Sequence, residues 1–269
     1  MPDVPDMHGP KVPPAKAMKK IQNLKTRFAK TEADITAAQQ LRYRVFVDEM
    51  GAVTSRSDHD HHLEVDPFDA HADHLLLCDL SRDPSDQVVG TYRLMSSQQA
   101  RSKGFSSDAE FDHSALTSSG RPLLELSRSC VDPDYRDGVG MFLLWQALSD
   151  FITEQKIEVL FGVASFWERD PQKIAAPLSL LHHRHLAPEP LLTRCHAPAT
   201  FDLIPDSQID RIAALKEIPA LIKAYLRLGG LVGEGAFVDE SFGTVDVSMV
   251  VDMNAITPRQ RMVFARSVS

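Results

Sequence analysis

The chain has 269 residues, 43% hydrophobic and 25% charged, which is ordinary globular composition sufficient for one large α/β domain or two small ones. A formal charge of −8 argues against general nucleic-acid affinity, and no apolar run approaches the ~20 residues needed to span a bilayer. Cys78, Cys130 and Cys195 are odd in number and widely spaced, without a CxxC pair, which suits a reducing cytoplasm.

The first stretch, "MPDVPDMHGPKVPPAKAMKK", has neither the apolar core nor the cleavage pattern of a secretory signal, so residues 1–20 are expected to form a disordered arm. Residues 21–256 read as one domain with a C-terminal extension, and 257–269 as a tail. "NLKTRFA" alternates as a first strand. Thr31 and Asp34 are then spaced as a capping box opening a helix through Met50. Ile35, Ala38, Leu41, Val45 and Phe46 give that helix one buried face. A loop follows in which five of the eleven histidines stand among carboxylates, "DHDHHLEVDPFDAHADH". Such a density of imidazole suggests a metal, but the stretch lacks the i, i+4 histidine pair that fixes ligand geometry on a helix. An acidic pocket for a cation, or a solvated loop, are the other readings; no metal site is expected.

"DHLLLCDL" and "QVVGTYRLMS" read as antiparallel strands joined by a turn-rich connection. Residues 97–121 are polar and suggest a long excursion or short helices. Leu123–Val131 is a strand ending at Asp132-Pro133, followed by a turn carrying Arg136, Gly138 and Gly140. A helix then aligns Met141, Leu144, Trp145, Leu148 and Ile152 on one face. Strand, glycine turn and helix together present free N–H groups to a phosphate, although a plain left-handed turn into a core helix explains the same residues. "KIEVLFGVAS" is an interior strand, "IPALIKAYLRLGG" a helix ended by glycine, and "GTVDVSMVVDM" a strong strand.

"VDPDYRDGVGMFLLWQAL" resembles the acyl-donor turn of the N-acetyltransferase (GNAT) superfamily. Arg136 and Gly138 stand one residue closer than in the usual pattern, which suits a single phosphate such as that of phosphopantetheine. The ordered positions Arg42 and Phe46, then Glu64, Asp66 and Asp69, then Arg93, then Glu125 and Arg128 also resemble those of acyl-homoserine-lactone synthases. The closest likeness, over residues 21–256, is to bacterial ornithine-lipid N-acyltransferases. It rests on "LRYRVFVDEMGA", "LEVDPFDAHADHLLLCD", "VVGTYRL", "ELSRSCVDPDYRDG" and "IPALIKAYLRLGGLVGEGAFVDESFGTVDV".

The resemblance implies a GNAT-like α/β fold with a mostly antiparallel central sheet flanked by helices. It also implies transfer of a 3-hydroxyacyl chain from acyl carrier protein to the α-amine of ornithine, with no permanently bound cofactor. The alternatives are a signal synthase using S-adenosylmethionine and a non-catalytic acyl-binding module. Within this reading Glu125 is the proton acceptor, paired with Arg128 or Arg93 if its role is merely structural. A backbone N–H near Ser127–Ser129 holds the oxyanion. Glu64, Asp66 and Asp69 hold the ammonium end of the acceptor, and Arg42 or Arg93 its carboxylate. Cys130 and Trp145 are expected in the core. Arg101, Lys103, Arg128, Arg136 and Lys156 are candidates for docking the acidic carrier. The "ALIKAYLRLGGLV" segment is either buried or touches the inner membrane surface from the cytoplasm.

Overall fold

The computed structural model describes residues 22–136, 138–257 and 260; the expected N-terminal arm and nearly all of the expected tail lie outside them. Strand β1 is Leu24–Phe28, and helix α1 is Glu32–Arg42, opened by the expected box: Thr31 Oγ1 accepts from Asp34 N–H and the Asp34 carboxylate accepts from Thr31 N–H. The helix was expected to run unchanged to Met50. Instead Tyr43–Glu49 widens into a π-helix that buries Tyr43, Val45 and Phe46, a distortion common at functional sites.

The histidine-rich stretch was expected to be a loop throughout, but Arg56–His61 forms a short helix, α2. Ser55 caps it by accepting from Asp58 N–H, and His62 ends it at φ 53°. Strands β2 (Asp73–Asp79) and β3 (Val88–Ser96) follow. The polar excursion contains single turns at Gln99–Arg101 and Ser106–Ala109, the two-residue strand β4 (Phe111–Asp112) and the one-turn helix α3 (Ser114–Thr117). Next come β5 (Leu123–Val131), α4 (Val139–Glu154), β6 (Val159–Phe166), α5 (Ala175–His185) and β7 (Arg194–Cys195). The last of the described elements are α6 (Arg211–Glu217), α7 (Ala220–Arg227), β8 (Leu231–Val232), β9 (Phe237–Asp239) and β10 (Thr244–Asp252).

The main sheet runs β1-β2-β3-β5-β6-β10-β8, with β9 also on β10. All of its pairings are antiparallel except β5 with β6. The mostly antiparallel mixed sheet flanked by helices is the expected architecture. The C-terminal region is no appendage, because β10 pairs with β6 from Val245↔Phe166 to Asp252↔Val159. Leu144, Leu148 and Ile152 of α4 are buried with Leu75, Leu77 and Val89 of the sheet, as the helical spacing required. In α5 Ala175, Pro177, Leu178, Leu180 and Leu181 are buried, so its apolar residues chiefly pack the core. Among the described residues no helix is long and apolar enough to cross a membrane.

Candidate active site

Parallel pairing between β5 and β6 lasts only from Leu123↔Val159 to Glu125↔Phe161. Beyond that point the strands diverge, and a cavity of about 330 Å³ opens between Leu126–Ser129 and Val163–Ser165. Two local features shape the gap. At Gly162 the Leu126 backbone passes so close that a Cβ would sit 2.2 Å from its carbonyl oxygen. On the other edge of β5, Thr91 and Arg93 of β3 face Cys130 and Ser127, so β5 carries an extra residue there. The bulge places Arg128 at φ 50°, an uncommon conformation for a side-chain-bearing residue. Backbone N–H groups of Ser127–Ser129 thus lie where ladder pairing is interrupted, beside the cavity.

Glu125 is fully buried and lines this cavity. It pairs with neither Arg128 nor Arg93. Its Oε2 accepts from the N–H and hydroxyl of Ser106 at 3.0 and 2.9 Å, and its Oε1 accepts from those of Ser107 at 2.8 and 2.5 Å. Ser107 Oγ lies 3.5 Å from His113 Nε2, and His113 Nδ1 lies 2.9 Å from Asp108 Oδ1. The polar excursion therefore brings a Glu–Ser–His–Asp chain to the cavity, ending at a half-exposed aspartate.

Glu64, Asp66 and Asp69 do approach this strand, but through arginines. Arg42 binds Asp69 with both terminal nitrogens, at 2.8 and 2.7 Å, and its Nε lies 2.5 Å from Glu64. Arg93 Nη1 lies 2.6 Å from Asp66 and 3.2 Å from Asp69, while its Nε donates to Ser127 Oγ. Arg128 Nε donates to Glu64 at 3.0 Å and its Nη2 to Asp66 at 2.6 Å. Burial alone would raise Asp69 and Asp66. Hydrogen bonds and charge from Arg42 pull Asp69 below the usual carboxylate range, and Arg128 and Arg93 do the same for Asp66. These carboxylates are already neutralised, and Arg42 and Arg93 are wholly buried. Of the three arginines only Arg128 lines the cavity, its guanidinium 5.0 Å from the centre of the Phe242 ring.

Three of the five imidazoles of the same stretch are engaged by hydrogen bonds. His59 Nδ1 meets the Tyr43 hydroxyl at 2.5 Å, His61 Nδ1 the Ser57 carbonyl at 2.7 Å, and His74 Nε2 the Asp69 carbonyl at 2.9 Å. Among the described residues the one group of possible metal-binding side chains is Glu110, Asp239 and Asp246, with no histidine.

Those three acids line the cavity and lie within 4.8 Å of one another. Asp246 is only 4% exposed, and its Oδ1, like Glu110 Oε2, is buried without a hydrogen-bond partner. Burial, followed by Asp246 and Asp239, raises Glu110 to about 8 despite the opposing Arg128. Burial raises Asp246 to about 6 against the hydroxyls of Ser165 and Thr244.

A second cavity of about 270 Å³ continues from the first, sharing Phe46, Ser129, Trp167 and Leu221 with it. Its walls are mainly apolar, and it ends at the glycine turn with Arg136, Gly138 and Met141. Gly138 precedes α4 at φ 95°, where a side chain would be strained, and Gly140 is buried in the first turn. Arg136 forks onto Glu49 at 2.5 and 2.7 Å and donates to the Val131 carbonyl at 2.9 Å. The Cys130 thiol on this wall is pushed up to about 12 by burial, as befits a core thiol. Trp145 is partly buried against the core, its ring tilted 39° to that of Tyr225 at 5.6 Å. Helix α7 turns Ile222 and Tyr225 inward and places Ala220, Leu221 and Tyr225 on the cavity wall, so burial accounts for its apolar face.

The acetyltransferase (GNAT) domain family matches residues 41–146. An L-ornithine N(alpha)-acyltransferase of Rhodobacter capsulatus is 48% identical over 245 residues, covering 90% of this chain and 95% of that protein. The chain belongs to the L-ornithine N(alpha)-acyltransferase family. A Brucella abortus protein of the same name is 42% identical over 248 residues, covering 89% of this chain and 88% of that one. Among solved structures, FeeM, an N-acyl amino acid synthase from uncultured soil microbes, superposes with a TM-score of 0.51 at 11% identity. That match covers 87% of this chain and 93% of FeeM, and it speaks to the shared fold.

For this member of the ornithine acyltransferase family, Glu125, Ser127, Arg128 and the glycine turn converge on one cleft, with Phe46 between its two halves. Arg42, Glu64, Asp66, Asp69 and Arg93 stand behind Arg128 as its buried ionic support. Sequence reasoning missed Ser106, Ser107, His113 and the group Glu110, Asp239 and Asp246. One signal was present: Asp246 interrupts "TVDVSMVVD", a strand apolar enough to be buried on both faces. Glu110 carries no comparable mark.

Proposed function

We propose that the chain transfers a 3-hydroxyacyl group from the phosphopantetheine thioester of acyl carrier protein to the α-amine of L-ornithine, forming lyso-ornithine lipid. The observation that carries this reading is the meeting of an acidic cavity and an apolar, turn-ended cavity at Ser129. A thioester threaded past Gly138 and Gly140 reaches β5 from one side, with the phosphate near the first turn of α4. An amino acid enters from the other, its carboxylate on Arg128.

Attack by the neutral α-amine forms the C–N bond and places negative charge on the thioester oxygen, stabilised by a backbone N–H of the Ser127–Ser129 bulge. As the C–S bond breaks, the amine proton passes to Glu125 and the thiolate leaves on the carrier arm, taking a proton from solvent water while Glu125 returns its own to solvent. Serine hydroxyls can rotate, so Ser107 can release Glu125 and hand the proton towards His113 and Asp108. Acyl carrier protein is acidic and docks at the turn, where Arg136 would exchange Glu49 for the carrier. The chain acts in the cytoplasm, and its amphiphilic product leaves for the inner membrane.

The reaction is tested by incubating the protein with 3-hydroxyacyl carrier protein and, separately, ornithine, lysine, glycine or S-adenosylmethionine, then weighing the products. An ornithine amide with loss of the carrier thioester is expected. A lactone, or tight carrier binding without turnover, would overturn the reading.

A further inference from the structure

Three carboxylates converge on the cavity, where Arg128 is the nearby cation that offsets their charge without pairing with any of them. Among the described residues Glu110, Asp239 and Asp246 form no ion pair, in contrast to every acid of the neighbouring arginine network. Asp239 uses Oδ1 to accept from Ser241 and Phe242 N–H at 2.7 and 3.0 Å, which fixes its carboxylate at the β9–β10 turn. Asp246 is held on β10, whose register with β6 sets it opposite Ser165. Glu110 enters from the polar excursion, just after the Ser106–Ser107 turn that holds Glu125. The two buried oxygens without partners, Glu110 Oε2 and Asp246 Oδ1, mark a place where a donor is missing. The elevated positions of Glu110 and Asp246 describe the same imbalance as charge.

We propose that Glu110, Asp239 and Asp246 form the subsite for the side-chain ammonium of the acceptor, and so select a basic amino acid over its uncharged isostere. The inference rests on the acyl-transfer reading above and names the residues that choose its substrate. The chemistry fits a primary ammonium, which carries three N–H donors and no acceptor. Charge-assisted bonds of about 2.8 Å spread tetrahedrally from one nitrogen put their acceptors about 4.6 Å apart, compatible with the span of these oxygens. With the substrate carboxylate on Arg128 and the far ammonium on the acid group, the α-amine lies between them, towards Glu125 and the thioester. Bound ammonium also favours the ionised form of Glu110, so binding displaces a proton. Asp246, Asp239 and Glu125 otherwise favour that proton, and Arg128 opposes it.

The test compares ornithine with norvaline, which has the same carbon chain without the δ-nitrogen, in the full-length protein and in Glu110→Gln and Asp246→Asn. For the unmodified protein kcat/KM should favour ornithine by roughly 10⁴-fold, the scale for sites whose polar groups are left unpaired by the wrong substrate. Each substitution should reduce that preference at least ~10-fold, chiefly by raising the KM for ornithine. Calorimetry in two buffers of different ionisation enthalpy should show proton release when ornithine binds the unmodified protein. A folded variant, judged by its melting curve, that keeps the full preference for ornithine would overturn the subsite while leaving acyl transfer intact. Failure of the unmodified protein to acylate ornithine would overturn both. Manganese binding that is lost in Asp246→Asn, with activity abolished by a chelator, would assign the acids to a metal instead.

Discussion

Two groups of three carboxylates flank the same strand, and their surroundings give them opposite properties. Glu64, Asp66 and Asp69 are locked to Arg42, Arg93 and Arg128, and both aspartates are held below the usual carboxylate range. Glu110, Asp239 and Asp246 share the cavity with no ion pair among the described residues, and two of them are pushed up by burial and mutual repulsion. The first group is a paired structure: each of its carboxylates meets an arginine and the network fixes Arg128 at the bulge, although Arg93 Nη2 keeps no hydrogen-bond partner. The second is an unfinished one that a ligand can complete. Charge density in a sequence therefore says where acids are numerous, and only pairing says which of them are available to substrate.

The sharpest contrast should appear in stability. Removing the buried partner of two arginines in Asp69→Ala should destabilise the fold by ~3–5 kcal/mol, measured by chemical denaturation. Asp246→Asn should stay within about 1 kcal/mol of the parent, because it removes an unpaired buried charge rather than half of a pair. Equal losses in the two variants would erase the distinction.

Next in size is Glu125→Gln, which leaves one acceptor oxygen for four donors. It should lower kcat by roughly 10²-fold or more with little change in ornithine KM. A change confined to KM would move Glu125 from proton transfer to binding.

The two groups should also differ in pH response. Because the folded protein holds a proton on Glu110 up to about 8, while the unfolded chain releases it near 4.3, the folded state binds more protons across that window. Stability from this group is present at low pH and declines as pH rises from about 4.5 to 8. Asp66 and Asp69 act in the reverse sense, adding stability that is lost on acidification below about pH 4. Denaturation of Glu110→Gln against pH should show a flatter decline on the alkaline side and an unchanged acid limb.

The smallest effect is expected at the surface. Arg136→Glu sets a like charge against Glu49 and should weaken use of carrier-linked donor roughly fivefold, the scale of about 1 kcal/mol for an exposed pair. The deficit should grow at low ionic strength, where carrier attraction is strongest.

Much of this arrangement was legible in the residues. The capping box at Thr31, the alternation of β5 and the apolar face of α4 are local patterns, and each folds as its spacing requires. The glycine turn and Glu125 could be placed because they are adjacent on one strand-turn-helix unit. The π-helix at Tyr43–Glu49 was not legible, since its residues keep an ordinary helical apolar pattern and only the hydrogen-bond register differs. Nor was the fate of Glu64, Asp66 and Asp69, whose partners arrive from α1, β3 and β5, between 22 and 64 positions away along the chain. The same holds for Glu110 and the Asp239/Asp246 pair: Glu110 lies more than a hundred positions from the β9–β10 hairpin that carries both aspartates, and they meet because β10 inserts beside β6. The ion pairs and the acid subsite are products of tertiary pairing, which no local spacing records.

The most direct measurement is a crystal structure with ornithine bound. The δ-nitrogen is expected within hydrogen-bond reach of Glu110, Asp239 and Asp246, with the carboxylate on Arg128 and the α-nitrogen facing the β5–β6 gap. Ornithine seated instead on Glu64, Asp66 and Asp69, with their arginines displaced, would contradict the division between the two acid groups.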